Sequence, residues 1–106
     1  MATLVPLQVT RAGVSRALVA ASVAGDTYDN TSSPYVEINN GSASPISVYA
    51  AIYVDGQTII QGRAWTVAAG VGLKIAPMGS NYNDPATGRV SLTYSAITTV
   101  TIGVFY

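Results

Sequence analysis

The stretch Ile46-Ser-Val-Tyr-Ala-Ala-Ile-Tyr-Val54 decides the fold class. In an extended chain Ile46, Val48, Ala50, Ile52 and Val54 point one way, and Ser47, Tyr49, Ala51 and Tyr53 the other. Successive side chains of a strand alternate between faces, whereas a helical face recurs every three or four residues, so a period of two predicts a strand. One face is aliphatic and belongs in a core. What the tyrosine-bearing face meets, the inter-sheet core or a protein partner, is the functional question.

Upstream, Tyr35-Val-Glu-Ile-Asn39 alternates and runs into Asn40-Gly41, a turn signal because both residues tolerate positive φ. A hairpin of residues 35–39 with 46–54 is expected. Downstream, Asp55-Gly56 is a second turn signal, followed by strand candidates at 58–60, 64–67 and 73–75, with the glycine-punctuated Ala69-Gly-Val-Gly72 between the last two. Residues 77–88 read as a polar loop. Two strands follow, 89–94 with Val90, Leu92 and Tyr94 aligned, and 98–105 with Val100, Ile102 and Val104 aligned. Near the N-terminus Val5, Leu7 and Val9 alternate in a strand candidate over 3–10, where Pro6 cannot donate to a ladder and so directs the segment to a sheet edge. Residues 14–23 read as a strand or loop, and 25–34 as a long polar connection. About seven to eight short strands, with turn signals every ~8 to 12 residues, predict an all-β, antiparallel β-sandwich, Ig-like or jelly-roll-like. At 106 residues the chain forms one domain, with residues 1–12 as an edge strand or clasping arm.

Composition narrows the function. The chain is 49% hydrophobic and 9% charged, against about 25% charged in an average soluble protein. Much of its surface must therefore be neutral and open to association. Five basic residues balance five acidic ones, and Arg11, Arg16, Arg63, Lys74 and Arg89 are scattered along the chain. That argues against nucleic acid, which needs a clustered basic field, and against a polybasic membrane anchor. No apolar stretch approaches the ~20 residues of a membrane helix, and the N-terminus lacks a basic signal-peptide region, so a soluble protein made in a cytosol is expected. Cysteine and histidine are absent, which removes thiolate metal sites, disulfides and the commonest general base.

Asp26, Asp29 and Asn30, with Asn81, Asn83 and Asp84, offer hard oxygens of the kind calcium takes, but their spacing is not that of an EF-hand. Turn-forming Asx residues account for them, and no metal or cofactor is expected. Glu37, the lone glutamate, alternates with Val36 and Ile38 as a solvated strand residue, which leaves no evident pair of catalytic carboxylates. The glycines of Gly70-Val-Gly72 lack the lysine and helix of a phosphate loop. Trp65 and Tyr94 suit the domain's own core. Tyr49 and Tyr53 suit the second sandwich face or a partner, where tyrosine is enriched.

Several phrases taken together carry a resemblance: Leu7-Gln-Val-Thr-Arg-Ala-Gly13, Gly25-Asp-Thr-Tyr-Asp-Asn30, Val36-Glu-Ile-Asn-Asn-Gly-Ser-Ala-Ser-Pro-Ile-Ser-Val48, Val54-Asp-Gly56, Trp65-Thr-Val-Ala-Ala-Gly70, Tyr82-Asn83 and Gly88-Arg-Val-Ser-Leu-Thr-Tyr-Ser95. The chain resembles small virion proteins of tailed bacteriophages, similar to β-sandwich decoration or cement proteins of the capsid exterior. Where that pattern has a phenylalanine and an Asn-Asp/Asn-Gly turn, this chain has Tyr28 and Thr31-Ser-Ser-Pro34. The resemblance implies a non-enzymatic, multicopy structural protein on the virion surface, with the major capsid protein as partner and no cofactor. Tyr49, Tyr53 and Tyr82, with Leu4 and Arg11 of the N-terminal segment, are the expected contacts. The alternatives are another virion component in the tail, collar or fibre, and a carbohydrate-binding module using Trp65 and the loop tyrosines.

Overall fold

A computed structural model describes residues 2–10, 18–30, 34–54, 57–77 and 80–106. Among these residues nine strands follow in chain order: β1 (Ala2–Leu4), β2 (Val19–Ala20), β3 (Asp26–Asp29), β4 (Tyr35–Asn40), β5 (Ile46–Val54), β6 (Gln57–Val67), β7 (Gly72–Ile75), β8 (Arg89–Tyr94) and β9 (Val100–Phe105). A 3-10 turn, Ser80–Tyr82, interrupts the connection from β7 to β8. One sheet has the order β1-β3-β8-β5-β6 and the other β2-β9-β4-β7. All pairs between strands are antiparallel except β1 with β3.

The pairings are nested: β5 with β6, β4 with β7, β3 with β8, and β2 with β9. A two-stranded ribbon rolled up in this way is a jelly roll. The sandwich is therefore of the jelly-roll kind rather than Ig-like, with β1 added at one edge.

The core lies between the sheets, and alternation selects it. Val90 and Leu92 of β8, Val48 and Ala50 of β5, and Tyr28 of β3 face Val36 and Ile38 of β4 and Val100, Ile102 and Val104 of β9. Leu4, Ile46, Val67 and Ile75 complete it. Each fully buried aliphatic side chain contributes about 1.5–3 kcal/mol relative to exposure, so these stripes supply the main driving force.

Several sequence expectations need correction. β4 and β5 do not form a hairpin; they lie in different sheets. Asn40 explains the crossing. It is fully buried, and its Nδ2 donates to the carbonyl oxygens of Ser44 (2.9 Å), Val67 (3.1 Å) and Ala68 (3.3 Å). Its Oδ1 accepts from the amide (3.0 Å) and hydroxyl (2.6 Å) of Ser42. One side chain thus joins the β4–β5 corner to the end of β6, and the chain crosses between the sheets at both places.

The 25–34 segment is not all connection, since it holds β3. Gly25 has φ +97° and lies so close to the Leu92 carbonyl that a Cβ could not fit, which brings β3 against β8. Residues 58–60 and 64–67 belong to one strand of 11 residues. The aliphatic face of β5 also ends early. Alternation holds to Ala50; beyond it Ile52 is half-buried and Val54 is 46% exposed. Between the pairs Ala50–Arg63 and Ile52–Ile59 the register shifts, and a Cβ at Gly62 would lie 2.5 Å from Ile52 Cγ1, so glycine makes room for that side chain.

The N-terminal segment touches both sheets. β1 pairs with β3, then Leu7 bridges to Phe105, with Leu7 N–H donating to the Val104 carbonyl (2.8 Å) and Val9 N–H to the Tyr106 carbonyl (2.6 Å). Pro6 sits where the chain passes from one sheet to the other.

Replacing Asn40 by Ala is expected to cost about 2–4 kcal/mol, because buried carbonyls and the Ser42 amide lose their partner. Asn40→Asp should cost at least as much, since a carboxylate cannot donate. Urea unfolding with an unchanged m-value measures both. A midpoint equal to that of the parent chain would show that the corner does not depend on this amide.

Candidate functional site

The outer face of the five-stranded sheet is hydroxyl-rich. β5 lies between β8 and β6, with Tyr49 opposite Thr93 on one side and Ala64 on the other. Because Val48 and Ala50 are in the core, Tyr49 faces outward, and it is half-buried. Tyr53 is also half-buried, and lines a groove on this face. The tyrosine-bearing side of β5 is therefore the outside of the sandwich, not its interior.

The groove has a volume of about 380 Å³. Its floor is a row of hydroxyls in cross-strand register, Thr3 of β1, Thr27 of β3 and Ser91 of β8. Arg89 at the start of β8, with Asp84 and Thr87 of the preceding loop, completes the lining together with Tyr53. That loop is folded on itself: the Asp84 carboxylate accepts from the Ala86 amide (2.9 Å), and the Asp84 carbonyl accepts from the Gly88 amide (2.7 Å). The Tyr53 hydroxyl is held above its ordinary pKa by partial burial and then by the nearby Asp84 charge, so at neutral pH it is a hydrogen-bond donor.

A second surface lies along β6. Among the described residues this strand pairs only with β5, so its other edge carries backbone groups outside any ladder. Ile59 is 49% exposed and Ile60 61% exposed, on a hairpin that extends past the end of the core.

The other expected site residues are placed differently. Leu4 is buried in the core, while its neighbour Val5 is 83% exposed. Tyr82 is half-buried and packs against the core from the 3-10 turn, which rests on β5 and β8. Arg11 lies outside the described residues. Trp65 is on the inner face of β6, opposite Val48, packed against the core with the Arg63 guanidinium 5.4 Å from its ring.

The oxygen-rich loops meet, but as hydrogen-bond partners: Asn30 Nδ2 donates to Asn83 Oδ1 at 2.8 Å. Among the described residues no three His, Cys, Asp or Glu side chains gather as a metal site. Asp26 points into the interior instead. It is fully buried, and its Oδ2 accepts from the Tyr94 hydroxyl (2.6 Å) and the Ser22 amide (3.2 Å). The Tyr28 hydroxyl, two residues on, is buried and has no hydrogen-bond partner among the described residues. Strand alternation alone conceals this cluster, because aspartate is rare in both strands and cores.

In comparisons with protein-family models, curated proteins and solved structures, nothing matches the chain.

Tyr94→Phe and Tyr28→Phe are expected to act in opposite directions. The first removes a donor from a buried carboxylate and should cost about 1–3 kcal/mol. The second removes an unpartnered buried hydroxyl and should raise stability by about 1 kcal/mol. Equal signs in urea unfolding would contradict the assigned bonding.

Stability should also fall above about pH 10, the ordinary tyrosine value. Burial, reinforced at Tyr94 by the hydrogen bond to Asp26, raises the Tyr28 and Tyr94 hydroxyls well above that value. The unfolded chain therefore loses these protons first, and rising pH favours unfolding. An ultraviolet titration should show both tyrosines ionising only with unfolding; their ionisation in the folded chain would oppose this account.

Proposed function

We propose that the chain is a non-enzymatic structural virion protein that binds the exterior of a tailed-phage capsid and reinforces contacts between neighbouring capsid subunits. The observation that carries this reading is the β5–β6 hairpin. Val54, Ile59 and Ile60 stand exposed on it, and the edge of β6 that no described strand pairs with offers backbone groups for pairing. A neutral surface with only 9% charged residues favours such adhesion, because little charge must be desolvated. The sequence resemblance supplies the virion context. Jelly rolls occur in viral capsid and lectin domains alike, so the fold is compatible with this role without assigning it.

The mechanism is binding linkage. A protein that binds the assembled shell and not dispersed subunits adds free energy to the shell, and many copies supply by avidity what one small contact does not. The partner is the major capsid protein, and Tyr49 on the outward face of β5 is a further contact. No chemical step is involved.

Adding the protein to capsids stripped of decoration should raise their melting temperature. The double variant Ile59→Asp/Ile60→Asp should abolish that gain while costing the isolated chain only about 1–2 kcal/mol, the loss of strand propensity at two exposed positions, so that it remains folded. Capsids whose melting temperature does not respond to the parent protein would refute the proposal.

A further inference from the structure

The groove beside Tyr53 has a chemistry that adhesion to a capsid does not use. Its lining contains one aromatic ring, one carboxylate, one guanidinium and four aliphatic hydroxyls, those of Thr3, Thr27, Thr87 and Ser91. At about 380 Å³ it falls in the size range of small-ligand sites, roughly 300–1,000 Å³.

The charges decide the ligand class. Asp84 and Arg89 cancel, so an anion attracted by the guanidinium is opposed by the carboxylate, and a cation meets the reverse. An apolar ligand would strip water from hydroxyls it could not replace. A neutral polyol meets neither objection. Adjacent hydroxyls on a ring can donate to a carboxylate and accept from a guanidinium, both charge-assisted bonds, while the C–H face of the ring rests on a tyrosine.

Position supports the same conclusion. The hydroxyl floor is rigid, because Thr3, Thr27 and Ser91 are in register across paired strands. Asp84 is held by its bonds to Ala86 and Gly88. Arg89 opens β8 opposite Asp29. A preorganised set of donors and acceptors lowers the entropy lost on binding.

We propose that this groove is a saccharide-binding site, in which Arg89 and Asp84 hold vicinal hydroxyls of one sugar ring and Tyr53 supports its apolar face. Trp65 has no part in it, being turned into the core. The site is shallow and its monovalent affinity weak; repetition over a virion would multiply it. Sugar binding by the isolated chain does not depend on the virion reading.

The test is a titration of the full chain with the methyl glycosides of glucose, galactose, mannose and N-acetylglucosamine, followed by amide NMR shifts, with inorganic phosphate titrated in parallel. At least one glycoside should give saturable shifts centred on Thr27, Tyr53, Asp84, Arg89 and Ser91. Arg89→Ala and Tyr53→Ala should each weaken that binding about tenfold or more, the loss expected for one charge-assisted bond or one stacking contact. Asp84→Asn, which keeps the acceptor for the Ala86 amide, should weaken it as well, and an unchanged spectrum elsewhere will show that the loop is still folded. The proposal is overturned if no glycoside saturates, if only phosphate does, if the shifts centre on Trp65, or if binding survives Arg89→Ala and Asp84→Asn. None of these outcomes bears on capsid binding, which is read separately from capsid melting.

Discussion

The buried amide of Asn40 is the constraint on which the rest of the structure depends. A jelly roll requires its ribbon to pass between sheets, and backbone groups leave their ladders where it crosses. Asn40 meets this need at two corners at once, bonding to Ser42 and Ser44 after β4 and to Val67 and Ala68 at the end of β6. An amide can donate and accept in the same place, and neither an apolar side chain nor a carboxylate can substitute. With both corners fixed, β4 and β7 pair in one sheet, and β5 and β6 in the other.

That arrangement determines which surfaces are available for function. β5 is interior to its sheet, so its aliphatic side is buried and its tyrosines are on the outer face. β6 is at the edge and runs past the core together with the far end of β5, carrying Val54, Ile59 and Ile60 into solvent. The irregularity near Gly62 marks the change from a packed strand to a projecting hairpin. The exposed hairpin and the hydroxyl groove therefore share one strand but have different chemistry. One is apolar with an open backbone edge; the other is polar, charge-balanced and backed by paired strands.

The interior holds a second polar device. Asp26 takes a hydroxyl from Tyr94 and an amide from Ser22, near the unpartnered Tyr28 hydroxyl. Buried polar groups are costly unless satisfied, so the two tyrosines have opposite energetic roles although both are deep in the sandwich. A phenylalanine at 28 would retain the ring and lose the orphan hydroxyl.

Local periodicity made much of the fold legible. The alternation of residues 35–39, 46–54, 89–94 and 98–105 identified strands and most of their core positions, because a period of two follows from backbone geometry alone. It did not reveal β3, whose inward residues are an aspartate and a tyrosine, nor distinguish a hairpin at Asn40-Gly41 from a crossing between sheets. The same local turn chemistry serves both, and the difference lies in carbonyls 27 and 28 residues away in sequence. The candidate sites were legible only in part. Tyr49 and Tyr53 could be placed on a second face, but Leu4 and Tyr82, which look like contacts in the sequence, pack into or against the core. The groove was not legible, since it joins Thr3, Thr27, Tyr53, Asp84 and Ser91 from widely separated parts of the chain. The sequence by itself determined that the chain is a neutral, low-charge β-sandwich with one strand of two unlike faces. Only the tertiary structure decided which face looks outward, which edge stays open and which hydroxyls meet, because pairing between distant strands depends on long-range bonds that no local pattern contains.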